Sequence, residues 1–125
     1  MRLLFDTHAF LWWVSDDSQL TITARDAIGS PRNQLFLSAV TPWEIGIKVA
    51  VGKLESPTDY ADLLADGSLV ELPITIEHAR AAGGLPLLHG DPFDRMLVAQ
   101  ATVEGLTIVS GDAAIAAYGV PTVWN

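Results

Sequence analysis

The sequence predicts an α/β fold: a three-layer sandwich in which a roughly five-stranded parallel sheet lies between helices. Three observations carry this expectation. Short apolar runs alternate with amphipathic helical stretches along the whole chain. Runs such as Leu106-Thr107-Ile108-Val109 lack a polar–apolar alternation, as strands buried on both faces do. Helical stretches separate them, which favours parallel crossovers. No repeat and no Gly/Ser/Pro-rich linker divides the 125 residues, so residues 1–125 read as a single domain.

In chain order, Leu3-Leu4-Phe5 is a short apolar run ending at Asp6 and reads as the first strand. Thr7 to Val14 follows as a helix with Phe10, Trp13 and Val14 on one face. Thr21 to Ile28 is a second helix, stopped by Gly29-Ser30-Pro31. Gln34 to Ser38 is the second strand. Helices then run from Thr41 to Val51, closed by Gly52, and from Asp59 to Ala65, closed by Gly67. Leu69 to Leu72 is the third strand, and Ile76 to Ala82 a helix before Gly83-Gly84. Asp91 to Glu104 is the longest helix, closed by Gly105. Leu106 to Ser110 is the fourth strand, Asp112 to Tyr118 a short helix, and Thr122 to Trp124 the fifth strand.

Composition narrows the function. The chain has no cysteine, which removes disulfide scaffolds, thiolate zinc sites, iron–sulfur clusters and cysteine nucleophiles, and makes a reducing cytoplasm the expected home. No apolar run exceeds six residues, as in Ala9 to Val14, far short of the ~20 a membrane helix needs. Met1-Arg2-Leu3 runs directly into a strand, so no signal peptide is expected. Fifteen acidic residues face seven Lys and Arg, a formal charge of −8. A broad basic face for duplex DNA is therefore not expected.

In parallel sheets, ligands bind beyond the carboxyl ends of the strands. Asp6 and Asp112 follow strands, and Glu44 and Asp94 lie early in helices that follow them. Thr41-Pro42-Trp43-Glu44 and Asp91-Pro92-Phe93-Asp94 share one grammar: N-cap, Pro at N1, aromatic residue, acid at N3. One reading is that each acid merely caps its helix, worth about 0.5–2 kcal/mol. The other is that both acids are brought to the same edge as Asp6. Two unit charges 4 Å apart repel by about 4 kcal/mol at an effective dielectric near 20, so gathered carboxylates require a counter-charge, a shared proton or a metal ion. Mg²⁺ takes one or two carboxylates plus waters and substrate phosphates, and would let an acidic protein engage a polyanion locally.

Other groups have a blander first reading. His8, His78 and His89 lack metal-ligand spacing, although His89, close to Asp91, is placed to assist a substrate. Trp12, Trp13 and Trp43 read as core or interface anchors rather than base-stacking platforms. Lys48, four residues after Glu44, reads as an ion-pair partner. Arg95 is a candidate for a backbone phosphate, and Ser110, with Ser38 and Thr41, for orienting water at the strand edge. No Gly-x-Ser-x-Gly elbow or phosphate-binding glycine loop is present.

Four stretches, taken in order, are distinctive: Leu4-Phe5-Asp6-Thr7-His8-Ala9-Phe10-Leu11-Trp12; Ser38 through Trp43-Glu44-Ile45-Gly46-Ile47-Lys48; His89-Gly90-Asp91-Pro92-Phe93-Asp94-Arg95 through Ala99-Gln100-Ala101; and Val109-Ser110-Gly111-Asp112. In these the chain resembles the PIN-domain ribonucleases, and more narrowly the VapC-type toxins of prokaryotic toxin–antitoxin pairs. The resemblance implies a sheet of about five parallel strands and a site for Mg²⁺ or Mn²⁺ built from Asp6, Glu44, Asp94 and Asp112, with Asp91 as a cap or outer group. Ser110 stands where the family often has Thr. It further implies an RNA substrate cleaved through metal-activated water, a small cognate antitoxin and a homodimer. Two other classes stay in view. One is a non-catalytic protein-binding module whose acids are caps. The other is a haloacid-dehalogenase-like phosphatase with Asp6 as nucleophile, although His8 stands where that chemistry wants a second Asp.

Overall fold

A computed structural model describes residues 1–55 and 59–125. Among them, strands and helices follow in the order β1 (Arg2–Phe5), α1 (Thr7–Val14), α2 (Ile22–Gly29), β2 (Gln34–Ser38), α3 (Val40–Ala50), α4 (Tyr60–Ala65), β3 (Val70–Leu72), α5 (Ile76–Gly83), α6 (Pro92–Glu104), β4 (Thr107–Val109), α7 (Ala113–Ala116) and β5 (Thr122–Val123). The five strands form one sheet in the order β3-β2-β1-β4-β5, and every pairing is parallel. Leu3 sits between Leu35 and Thr107, and Phe5 pairs with Val109.

The apolar runs explain this sheet. Successive side chains point to opposite faces, and here both faces are apolar. Leu3, Phe5, Leu35 and Leu37 join Phe10 of α1, Ala24 and Ile28 of α2 and Ile45 of α3 in one core. Leu4, Phe36 and Ile108 join Leu97, Val98 and Ala101 of α6 and Ile115 of α7 in the other. Two cores on one sheet are the expected three-layer sandwich. Side-chain caps fix where helices begin: Thr21 accepts from the Ala24 amide at 3.1 Å and Asp59 from the Ala61 amide at 3.0 Å. Gly105 ends α6 at φ 69°, a left-handed turn that other residues adopt with strain.

One local expectation is corrected. α3 begins at Val40, not after a Thr41 cap, and its N-cap Ala39 has no capping side chain. Ser38 takes the capping work instead, its hydroxyl accepting from the Val40 amide at 3.1 Å. Thr41 turns inward, its hydroxyl 3.2 Å from that of Thr7. Pro42 is tolerated because the first turn leaves its amides without helical acceptors anyway. Glu44 therefore lies one turn inside the helix and caps nothing.

From β1 the chain steps outward to β2 and β3, then returns to the other side of β1 for β4 and β5. The reversal leaves a crevice at the carboxyl ends of β1 and β4.

Candidate active site

Asp6 leaves β1 into this crevice. Its carboxylate caps α1 by accepting from the Ala9 amide at 2.6 Å, and the residue is only 5% exposed. Burial pushes its carboxyl up to about 6 from 3.8; hydrogen bonds from Ser110 and from the Ala9 amide, and the nearby His8, oppose the rise, while Asp94 adds to it. Ser110, at the end of β4, also accepts from the Asp112 amide at 3.0 Å. Its buried hydroxyl thus serves the acids on both sides of the crevice.

Glu44 points inward from α3 and is equally buried. Its Oε1 accepts from the Thr7 hydroxyl at 2.7 Å, and its Oε2 pairs with Lys48 Nζ at 2.9 Å. Lys48 is the ion-pair partner that its spacing suggested, but the acid it neutralises is a buried one.

Asp94 occupies the third position of α6. Asp91 is the N-cap, accepting from the Phe93 and Asp94 amides at 2.8 and 3.2 Å. The expected cap, proline and acid all fall in place here. The Asp94 carboxylate does not reach back; Oδ2 lies 2.9 Å from His89 Nε2. Burial raises the Asp94 carboxyl, the His89 bond opposes this, and the charges of Asp91, Glu44 and Asp112 raise it further. The hydrogen bond to Asp94 in turn raises the imidazole of His89. Asp112 stands exposed as the N-cap of α7, accepting from the Ala114 amide at 2.9 Å.

Asp94 is therefore the hub. It is electrostatically coupled to Asp6, Glu44, Asp91 and Asp112. Among the described residues the gathered group differs from the four acids expected: one ligand atom from each of His89, Asp94 and Asp112 lies within 4.8 Å of the others, and Asp6 and Glu44 join it only through their charges, which bear on Asp94. His89 carries no ligand spacing in the sequence; its place five residues before Asp94, in the loop ahead of an N-cap, was the available signal. Carboxylate oxygens fit a hard divalent cation such as Mg²⁺ or Mn²⁺, and His89, bonded to Asp94, is placed to orient that carboxylate.

Arg95 does other work than the phosphate contact considered for it. Its guanidinium donates to the carbonyls of Pro86, Ala82 and Leu85 and to the Tyr118 hydroxyl, at 2.9–3.2 Å. A phosphate would have to compete with all four. His78, which the sequence left without a role, is buried. Nδ1 accepts from the Thr75 amide at 3.1 Å, and Nε2 lies 2.7 Å from Glu104.

The fold and site together define a class: an α/β protein with acidic groups gathered at the switch point of a parallel sheet. A family model described as the PIN domain matches residues 3–121. The chain belongs to the PIN-domain family. A relative named Ribonuclease VapC22, from Mycobacterium tuberculosis, is 26% identical over 98% of each chain. Among solved structures, VapBC2 from Rickettsia felis bound to a DNA fragment from its promoter matches with TM-score 0.71 at 14% identity, covering all of both chains. FitAcB from Neisseria gonorrhoeae matches with TM-score 0.56 at 16% identity, over 98% of this chain and 96% of that one. These two likenesses establish the fold. Among the described residues, no helix is long and apolar enough to cross a membrane.

Proposed function

We propose that this chain is a divalent-metal-dependent endoribonuclease and the toxin of a toxin–antitoxin pair. The observation that carries the reading is the gathering of Asp94, Asp112 and His89, one ligand atom of each within 4.8 Å of the others, beside the cavity that Asp6 and Asp112 line. Membership of the PIN-domain family and the similarity to Ribonuclease VapC22 support it.

Asp6, Glu44, Asp94 and Asp112 would hold Mg²⁺ or Mn²⁺. When bound, the cation supplies positive charge to offset the carboxylates and the phosphate, and polarises water for attack. The chain's own residues set the stage. Lys48 and Thr7 fix Glu44, Ser110 and the Ala9 amide fix Asp6, and His89 orients Asp94. Water oxygen bonds to phosphorus, the bond from phosphorus to O3′ breaks, and the products are a 3′-hydroxyl and a 5′-phosphate.

The partner of such a toxin is a small antitoxin that covers the site, and a second copy of the chain. Trp43 and Ile47 of α3 and Val51 at its C-cap are exposed at four-residue spacing, an apolar stripe suited to such contacts. The cytoplasm, where RNA and antitoxin are met, is the proposed location.

Purified protein incubated with single-stranded RNA is expected to cut it with Mg²⁺ or Mn²⁺ and not with EDTA. Asp6→Asn and Asp94→Asn should lose at least about 100-fold. Cleavage in EDTA, or full activity in either variant, would refute the reading.

A further inference from the structure

We propose that the cavity beside the acids is a nucleobase subsite, in which Trp12 and Trp124 stack on the base flanking the scissile phosphate and Gln19 reads its edge. The inference rests on the ribonuclease reading and adds to it the part of the substrate that this site recognises.

The cavity holds about 420 Å³, and Asp6 and Asp112 are part of its lining. That volume lies within the roughly 300–1,000 Å³ of pockets that take small organic ligands. Aromatic side chains complete much of the rest. Trp12 of α1 and Trp124, just past β5, are both half-buried, with ring centroids 5.8 Å apart and planes tilted by 47°. The His8 ring lies 5.7 Å from Trp12, tilted by 33°. Trp13 stacks on Phe5 at 5.2 Å; Trp12 and Trp124 pack on the edge of the same core and also line this opening.

The backbone makes room for this wall. A Cβ on Gly111 would lie 2.5 Å from Trp124 Nε1 and 2.6 Å from Cε2. A side chain here would force the indole to shift, so glycine is what lets Trp124 lie so close to the backbone after β4. An exposed Gln19 also lines the cavity. Its amide offers both a donor and an acceptor, the pattern of a base edge. A phosphate held beside Asp6 and Asp112 puts the base of the same or the adjacent nucleotide against the indoles. Stacking of bases on aromatic side chains is how single strands are commonly held. A lone cationic side chain from a protein would satisfy the acids but would leave the amide unused and much of the volume unfilled.

The test uses the full chain with Mn²⁺ and a pool of single-stranded RNA of randomised sequence, with cut ends mapped. Wild type should favour particular bases at one position beside the cut. Trp12→Ala and Gln19→Ala should flatten that preference, and Trp12→Phe should keep it. With an RNA of the preferred sequence, replacing that base by an abasic nucleotide should raise KM for wild type by about 5- to 150-fold. It should add little to the loss already present in Trp12→Ala. If Trp12→Ala fails to fold, Gln19→Ala, at an exposed position, carries the same test. Unchanged preference in the folded variants, or losses that multiply, would overturn the subsite while cutting itself persists; a cationic partner side chain in the cavity would give this result. A wild type that cuts no RNA with either metal removes the ribonuclease reading and the subsite with it.

Discussion

In the absence of metal, replacing Asp6 by Asn should stabilise the protein at neutral pH. Asn keeps the acceptor that caps α1 at the Ala9 amide and remains a good N-cap. It removes a buried charge. The Asp6 carboxyl is lifted by burial from 3.8 to about 6. At about 1.4 kcal/mol for each tenfold in proton affinity, ionising it inside the fold costs about 3 kcal/mol. The folded-state value lies above the unfolded one, so the folded protein holds the extra proton between them. This carboxyl's contribution is therefore most favourable below about pH 3.8 and declines as the pH rises through about 6. Urea unfolding in EDTA is the assay. At pH 7.5 the variant should be more stable than wild type by up to about 3 kcal/mol, and the difference should shrink by about 1 kcal/mol at pH 5.5. Saturating Mn²⁺ should reverse the order, since it stabilises the fold that binds it. A variant less stable than wild type in EDTA at pH 7.5, or a difference that ignores pH, would refute the reasoning.

Three other outcomes follow from the same contacts. Lys48→Ala leaves the buried Glu44 without its cation and should cost about 1–3 kcal/mol in EDTA, read by urea unfolding, with part recovered in Mn²⁺. His78→Ala empties a buried site and strips the Thr75 amide of its acceptor; a loss of about 2–4 kcal/mol is expected, and near wild-type stability would contradict the assigned bonds. Mn²⁺ at about 100 times its dissociation constant should stabilise wild type by about 2.7 kcal/mol, seen as a higher Tm, and Asp94→Asn should lose most of that gain.

Much of the fold was legible because the strands announce themselves by apolar runs and the helices by their stops. Gln34–Ser38 and the start of α6 at the Asp91 cap matched residue for residue. β3 lost its first residue, Leu69, and β5 its last, Trp124, because ends of short strands depend on the neighbouring strand rather than on their own sequence. α3 was misjudged at its start because Thr-Pro is a strong cap signal, and the bond between Thr41 and Thr7 is tertiary. The same limit governs the site. Local spacing could put acids at strand exits, but how the loop ahead of α6 folds back, bringing His89 onto Asp94 and the 82–86 turn onto Arg95, is written in no periodicity. Trp124 in the cavity wall was equally invisible, since its place depends on the clearance left by Gly111.

The parallel crossovers have a temporal consequence. Asp6, Glu44, Asp94 and Asp112 are delivered by four separate stretches, and the exit of β4 is pinned by a bond from the Ser110 amide to the Val123 carbonyl of β5. A chain still being synthesised owns its first acids long before it owns the crevice. Translation thus runs ahead of assembly: the four stretches meet only after the last of them, which carries Asp112, has left the ribosome, and the bond from the Ser110 amide forms only once Val123 has followed.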